Sequence, residues 1–140
     1  MQDCIFCKIV ISEIPSVKIY EDNDVLAFLD IAPLTKGHTL VIPKQHSENI
    51  FDIDDGVLQK VMVVAKHLSG KIKNVLKADG IRISQSNGKH AGQVIGHFHT
   101  HIIPRYENDG VTMNDTTTAH PPKANFEELK KLAQKIVSWR

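Results

Sequence analysis

From Gly96 to Ile103 the chain alternates without a break: His97, His99 and His101 are separated by Phe98, Thr100 and Ile102. A period of two marks a strand, whose successive side chains point to opposite faces. The segment is therefore expected to enter a sheet, as a strand from Ile95 to Ile103 stopped by Pro104. One face carries three imidazoles, roughly 7 Å between neighbours, and the other carries residues suited to packing. Histidine is a poor core filler, and its chemistry is metal ligation, proton transfer or nucleophilic attack. One histidine here would read as a solvated or hydrogen-bonded side chain; three in strict alternation point to a site. The outer two lie too far apart to share one ion at bonds of about 2 Å, so the row divides its roles.

Other segments supply the rest of a sheet. Val17–Tyr20 and Val25–Leu29 flank a polar turn and read as a hairpin. His38–Ile42 is a third strand ended by Pro43, and Ile81–Ser84 a fourth. Between them, Leu58, Val61, Ala65, Leu68, Ile72 and Val75 recur at helical spacing, with Asp54 or Asp55 as cap and Gly80 as terminator. Ile5–Ile11 suits a short helical turn, and Leu129, Leu132, Ala133, Ile136 and Val137 a final amphipathic helix. Glu107–Asn125 shows little periodicity and suits a surface loop. The sum is an α+β fold: one domain over residues 1–140, a five-stranded antiparallel sheet, a long helix and a C-terminal helix.

Several classes are excluded by charge and pattern. Net charge is +1 over 140 residues, with no basic stripe, so no nucleic-acid partner is expected. No apolar run approaches a membrane span, and the start lacks the basic-then-apolar order of a signal peptide. A cytoplasmic location is expected. The loop before the histidine row holds Gly88, Gly92 and Gly96, whose bare amides suit phosphate oxygens. Asn87 and Gln93 add neutral donors there.

The stretch from Gly92-Gln93 through His97-Phe98-His99-Thr100-His101-Ile102-Ile103 resembles the histidine-triad (HIT) signature. Cys4-Ile5-Phe6-Cys7, Phe28-Leu29-Asp30-Ile31, and Gly37-His38 through Lys44 followed by His46 are similar to the Hint-like branch, in the same order. The motif-bearing core runs from about residue 4 to 106; residues 107–140 carry no motif. The resemblance implies hydrolysis or transfer at the α-phosphorus of a nucleotide, through a nucleotidyl-histidine on His99. A neutral imidazole is nucleophilic near pH 7, provided one nitrogen is held as donor. By the same resemblance His38 and His101 support the nucleophile and contact phosphate, and Gln93 lies near the leaving group. Asp30 would hold the ribose hydroxyls, Ile31 the base, and Asn87 and Gly92 the sugar–phosphate path. At Val94 many Hint-like members carry Ser or Thr; this chain keeps the backbone N–H and lacks the hydroxyl.

Cys4 and Cys7 are the only cysteines, and their Cys-x-x-Cys spacing reads as a metal site or a redox pair. With His46 and His97 in family-matching places they imply a structural zinc of Cys₂His₂ type, and no catalytic metal. The resulting expectation is a purine nucleoside phosphoramidase, homodimeric, acting on a purine nucleotide or nucleoside phosphoramidate. A dinucleoside polyphosphate hydrolase or nucleotidyltransferase remains open within the family. So does a zinc-bearing nucleotide-binding interaction module.

Overall fold

A computed structural model describes residues 3–111 and 122–139. The five strands are β1 (Lys18–Glu21), β2 (Val25–Leu29), β3 (Thr39–Pro43), β4 (Gly80–Ser84) and β5 (Thr100–Arg105). They form one sheet in the order β1-β2-β3-β5-β4, and every neighbouring pair is antiparallel. The helices are α1 (Ile5–Val10), α2 (Asp55–Leu76) and α3 (Phe126–Ser138), with a short 3₁₀ turn at Lys89–Ala91. The expected fold is therefore found, although the loop expected over Glu107–Asn125 falls partly on residues 112–121, outside the described ones.

The sheet has two unlike faces. On one, Val25, Ala27, Leu29, Val41, Phe98 and Ile102 pack against Val61, Ala65, Leu68 and Ile72 of α2 and Leu132 and Ile136 of α3. On the other, Leu26, Phe28, Leu40 and Ile42 pack under Phe6 and Ile9 of α1. The alternation of β2 and β3 thus feeds two cores, which is why both strands are buried throughout. Phe6, Ile9, Phe28 and Leu40 of the second core also line a cavity, and the site lies there.

Three boundaries differ from expectation. Only residues from Thr100 onward join β5, so His97 and His99 precede the ladder. The reason is a different partner: the Phe98 N–H donates to Ser47 O at 2.7 Å instead of to a strand. The side chains still alternate, since Phe98 and Ile102 enter the α2 core. Pro104 continues β5 instead of stopping it. Arg105 O accepts from Asp79 N toward β4, so Pro104 turns the other way, where Thr35 Oγ1 donates to its carbonyl. Its missing N–H falls beyond the end of the β3 ladder and costs no strand bond. Finally, α2 stops at Lys77, a left-handed C-cap with φ 53°, and Gly80 instead opens β4. Its other end is as expected, with the Asp54 carboxylate accepting from Val57 N.

Candidate active site and metal cluster

Beneath α1 the unfinished core opens into a cavity of about 440 Å³. Apolar residues dominate its wall, among them Phe6, Ile9, Phe28, Ile31 and Leu40, and Asp30, His38, His99 and His101 stand in it together. Gly92 and Val94 also line it, whereas Asn87 and Gln93 do not. The part of α1 in forming the roof was not read from the sequence; its signal was the apolar Ile5-Phe6…Ile9 beside the cysteines.

The ring nitrogens can be assigned from their backbone partners. His99 Nδ1 lies 2.7 Å from His97 O. A carbonyl only accepts, so Nδ1 carries the proton and Nε2 keeps its lone pair. Burial lowers the pKa of His99, which keeps the ring neutral and nucleophilic. A second assignment starts at Leu34, whose N–H donates to His38 Nδ1 at 3.1 Å. The proton of neutral His38 is thereby on Nε2, which lies 2.9 Å from His101 Nδ1. That nitrogen must accept, so His101 holds its proton on Nε2 as a donor. Burial, with repulsion from His99, pushes His38 down to about 4 and His101 to about 3. Both rings are neutral near pH 7. The His99 and His101 rings meet edge to face at 5.0 Å between centroids.

Asp30 closes β2 beside this pair. Its Oδ1 accepts from Ala32 N at 2.9 Å, and Oδ2 lies 3.6 Å from His38 Nε2. Burial raises its carboxyl pKa, partly offset by the Ala32 bond.

The glycine-rich loop is built differently from expectation. Gly88 N donates to Gln93 Oε1, Gly92 N to Lys89 O, and Gln93 N to Gly88 O. These amides close the loop on itself and do not form an open cradle. Asn87 Oδ1 accepts from Ile50 N and Gln85 Nε2, and Asn87 Nδ2 donates to Gln85 Oε1. Gln93 Nε2 donates to Glu48 O and Ile95 O. Both side chains are thus committed to tying the loop to residues 48–50, with Gly92 and Val94 left at the cavity.

On the far side of His97 the second cluster forms. Cys4 Sγ lies 3.3 Å from His97 Nδ1; Cys7 Sγ lies 3.3 Å from His46 Nδ1 and 3.6 Å from His97 Nδ1. All four donor atoms fall within 4.8 Å of one another. A tetrahedral zinc with bonds near 2.3 Å to sulfur and 2.05 Å to nitrogen separates S and N donors by about 3.5 Å. The donor set therefore fits such an ion. The outer contact fits as well: His97 Nε2 donates to Pro43 O at 2.8 Å, which leaves Nδ1 free as a ligand. The same test fails at Asp30, His38 and His101, which also gather within 4.8 Å. A metal on His38 Nε2 would need the proton on Nδ1, where the Leu34 N–H already points.

A family model for the HIT domain matches residues 11–108, and the chain belongs to the histidine triad family. An uncharacterized HIT-like protein of Borreliella burgdorferi is 47% identical over 131 residues, spanning 92% of this chain and 94% of that one. Adenosine 5'-monophosphoramidase HNT1 of Saccharomyces cerevisiae is 40% identical over 136 residues, spanning 96% and 81%. A HIT-like protein from Bartonella henselae superposes with TM-score 0.89 at 40% identity, covering 99% of this chain and 96% of its own. A zinc-bound histidine triad family protein from Mycobacterium smegmatis superposes with TM-score 0.80 at 33% identity, covering 98% and 94%.

Proposed function

We propose that the chain hydrolyses purine nucleoside 5'-phosphoramidates at the α-phosphorus through a nucleotidyl-His99 intermediate. The observation that carries this reading is the His99 ring, whose Nδ1 is tied to His97 O while Nε2 is free to attack beside the cavity. The named activity of the yeast relative supports the substrate class. In the first step the Nε2 lone pair forms a bond to phosphorus, the bond to the leaving nitrogen breaks, and the amine departs after taking up a proton. In the second, water attacks phosphorus, gives up a proton, and returns the electron pair to Nε2. The His101 Nε2–H donates to the phosphoryl oxygens, and His38 fixes that donor by occupying Nδ1. Asp30 receives the ribose hydroxyls, and Ile31 lies along the base. Gln93 keeps Gly92 and Val94 on the leaving-group side. Val94 keeps its backbone N–H on that side without the hydroxyl that many Hint-like members carry, and Asn87 braces the same loop.

Cys4, Cys7, His46 and His97 hold a structural zinc, supported by the donor geometry and by the zinc-bound relative. Four protein ligands leave it no open position for substrate. Two free cysteines in one metal cluster suit a cytoplasmic protein, and among the described residues no helix is long and apolar enough to cross a membrane. A second copy pairs along β4, one of the two outer strands, where Ile83 is exposed, and Met62 and Val63 of α2 are exposed as well. The test is release of AMP from adenosine 5'-phosphoramidate by the wild type and by His99→Ala at matched folding. Turnover that is lost in the variant is expected; equal turnover would overturn the reading.

A further inference from the structure

Four polar side chains line up across one end of the sheet. His38 lies opposite Asp30, whose N–H donates to His38 O, and His101 is bonded to His38 on the next strand. On the other side, Lys18 pairs with Phe28 and Leu29 N donates to Val17 O, so the register continues to place Ser16 opposite Asp30. Directly paired residues share a face, and Val17 next door enters the α2 core on the opposite one. Ser16 accordingly lines the cavity with Asp30 and the histidines. From β5 to β1 the order is His101, His38, Asp30, Ser16. Under the nucleotide reading above, on which this inference rests, the first three meet phosphate and ribose. At neighbour spacings of about 4.8 Å, Ser16 falls one strand beyond the ribose, where the base must lie.

Ser16 is also unusual in its bonding. Its Oγ is sealed from solvent and has no hydrogen-bond partner. A buried hydroxyl without a partner is costly, and one that lines a ligand cavity gains most by finding its partner on the ligand. Around Ser16 the wall residues Ile5, Ile9, Ile14 and Pro15 are apolar, and the other polar side chain brought toward the base side is Lys123, next to Ala124, whose N–H donates to Ile31 O. We infer that Ser16 is a specificity-determining residue: a χ1 rotation turns its hydroxyl from the wall to the edge of the base, where it makes a hydrogen bond that an apolar slot cannot. Serine moves among three staggered wells at small cost, so the turn needs no backbone movement.

Calorimetric binding of AMP and of ribose 5-phosphate, to wild type and to Ser16→Ala, tests this. The substitution removes only an unpaired hydroxyl, so folding is retained or improved, and a thermal melt checks it. AMP is expected to bind the variant roughly five- to tenfold more weakly, and ribose 5-phosphate equally to both. Equal or tighter AMP binding by the variant would overturn the assignment of Ser16 while leaving the nucleotide site standing. An equal loss for ribose 5-phosphate would also overturn it, by placing the bond on the sugar. A wild type that binds neither ligand would overturn the nucleotide reading itself.

Discussion

Acid should destabilise this fold through two histidines of the cavity, His38 and His101, in particular. His38 and His101 titrate at about 4 and about 3 in the folded chain because they are buried, against about 6.5 when unfolded. Between those values the unfolded chain binds more protons than the folded one. Stability therefore rises with pH across the window, is fully present above about pH 6.5, and is lost as pH falls toward the folded values. At pH 5 each ring contributes a loss of about 2 kcal/mol relative to neutral pH, or about 4 kcal/mol for the pair. That is a large share of the stability of a small domain. Urea unfolding at pH 7.5 and pH 5, on wild type and on His38→Gln/His101→Gln, isolates the effect. Acid would also weaken zinc held as proposed at the Cys4–Cys7–His46–His97 cluster, but that loss is common to both proteins and cancels in the difference. The wild type should lose about 4 kcal/mol more than the double variant over this range. Equal losses would refute the reasoning, since they would mean that the buried pair takes up protons in the folded state as readily as in the unfolded one.

Three further outcomes follow from the site. His99→Ala should lower phosphoramidate turnover by at least about 10³-fold while AMP still binds, as expected of a covalent nucleophile; initial rates and calorimetry together check this. Elemental analysis should find one zinc per chain in the wild type and none in Cys7→Ser, with a lower melting temperature in the variant. Ile83→Asp should convert a dimer to a monomer in sedimentation, because a charge on an outer strand opposes pairing; a wild type that is already monomeric would sink the proposed pairing.

Much of this arrangement was legible in the sequence, because period-two and helical patterns report which face a residue uses. The alternation from His97 to Ile102 separated imidazoles from core residues correctly, although only part of the segment is hydrogen-bonded as strand. The ladder's extent depends on partners far away, such as Ser47 O for Phe98, and no local pattern carries that. The glycine loop shows the same gap. Its glycines announced an unusual backbone, and Gly88 and Gly92 do have positive φ. Whether the freed amides face a ligand or one another is set by the closure through Gln93. Ser16 and the α1 roof were missed for a related reason: a serine after a proline and a few apolar residues acquire meaning only through register.

The tautomers are the deepest layer of the design, since three histidines of one composition take three roles by virtue of three backbone groups. Pro43 O claims His97 Nε2–H and leaves Nδ1 to the thiols; His97 O claims His99 Nδ1–H and leaves Nε2 bare; Leu34 N–H claims His38 Nδ1 and sends a proton toward His101. His97 belongs to two of these links, with its ring beside the two thiols and its carbonyl under His99. On the zinc reading proposed above, removal of the ion should therefore loosen the hold on the His99 tautomer as well as the fold. Nitrogen-15 spectra of labelled imidazoles read this directly. In the zinc-loaded protein, His99 should show a protonated Nδ1 and a bare Nε2. After chelation, under conditions where the chain remains folded, that signal should move toward the averaged shifts of exchanging tautomers. An unchanged His99 spectrum in the folded, metal-free protein would show that the carbonyl holds its place without the cluster, and would confine the metal's role to stability.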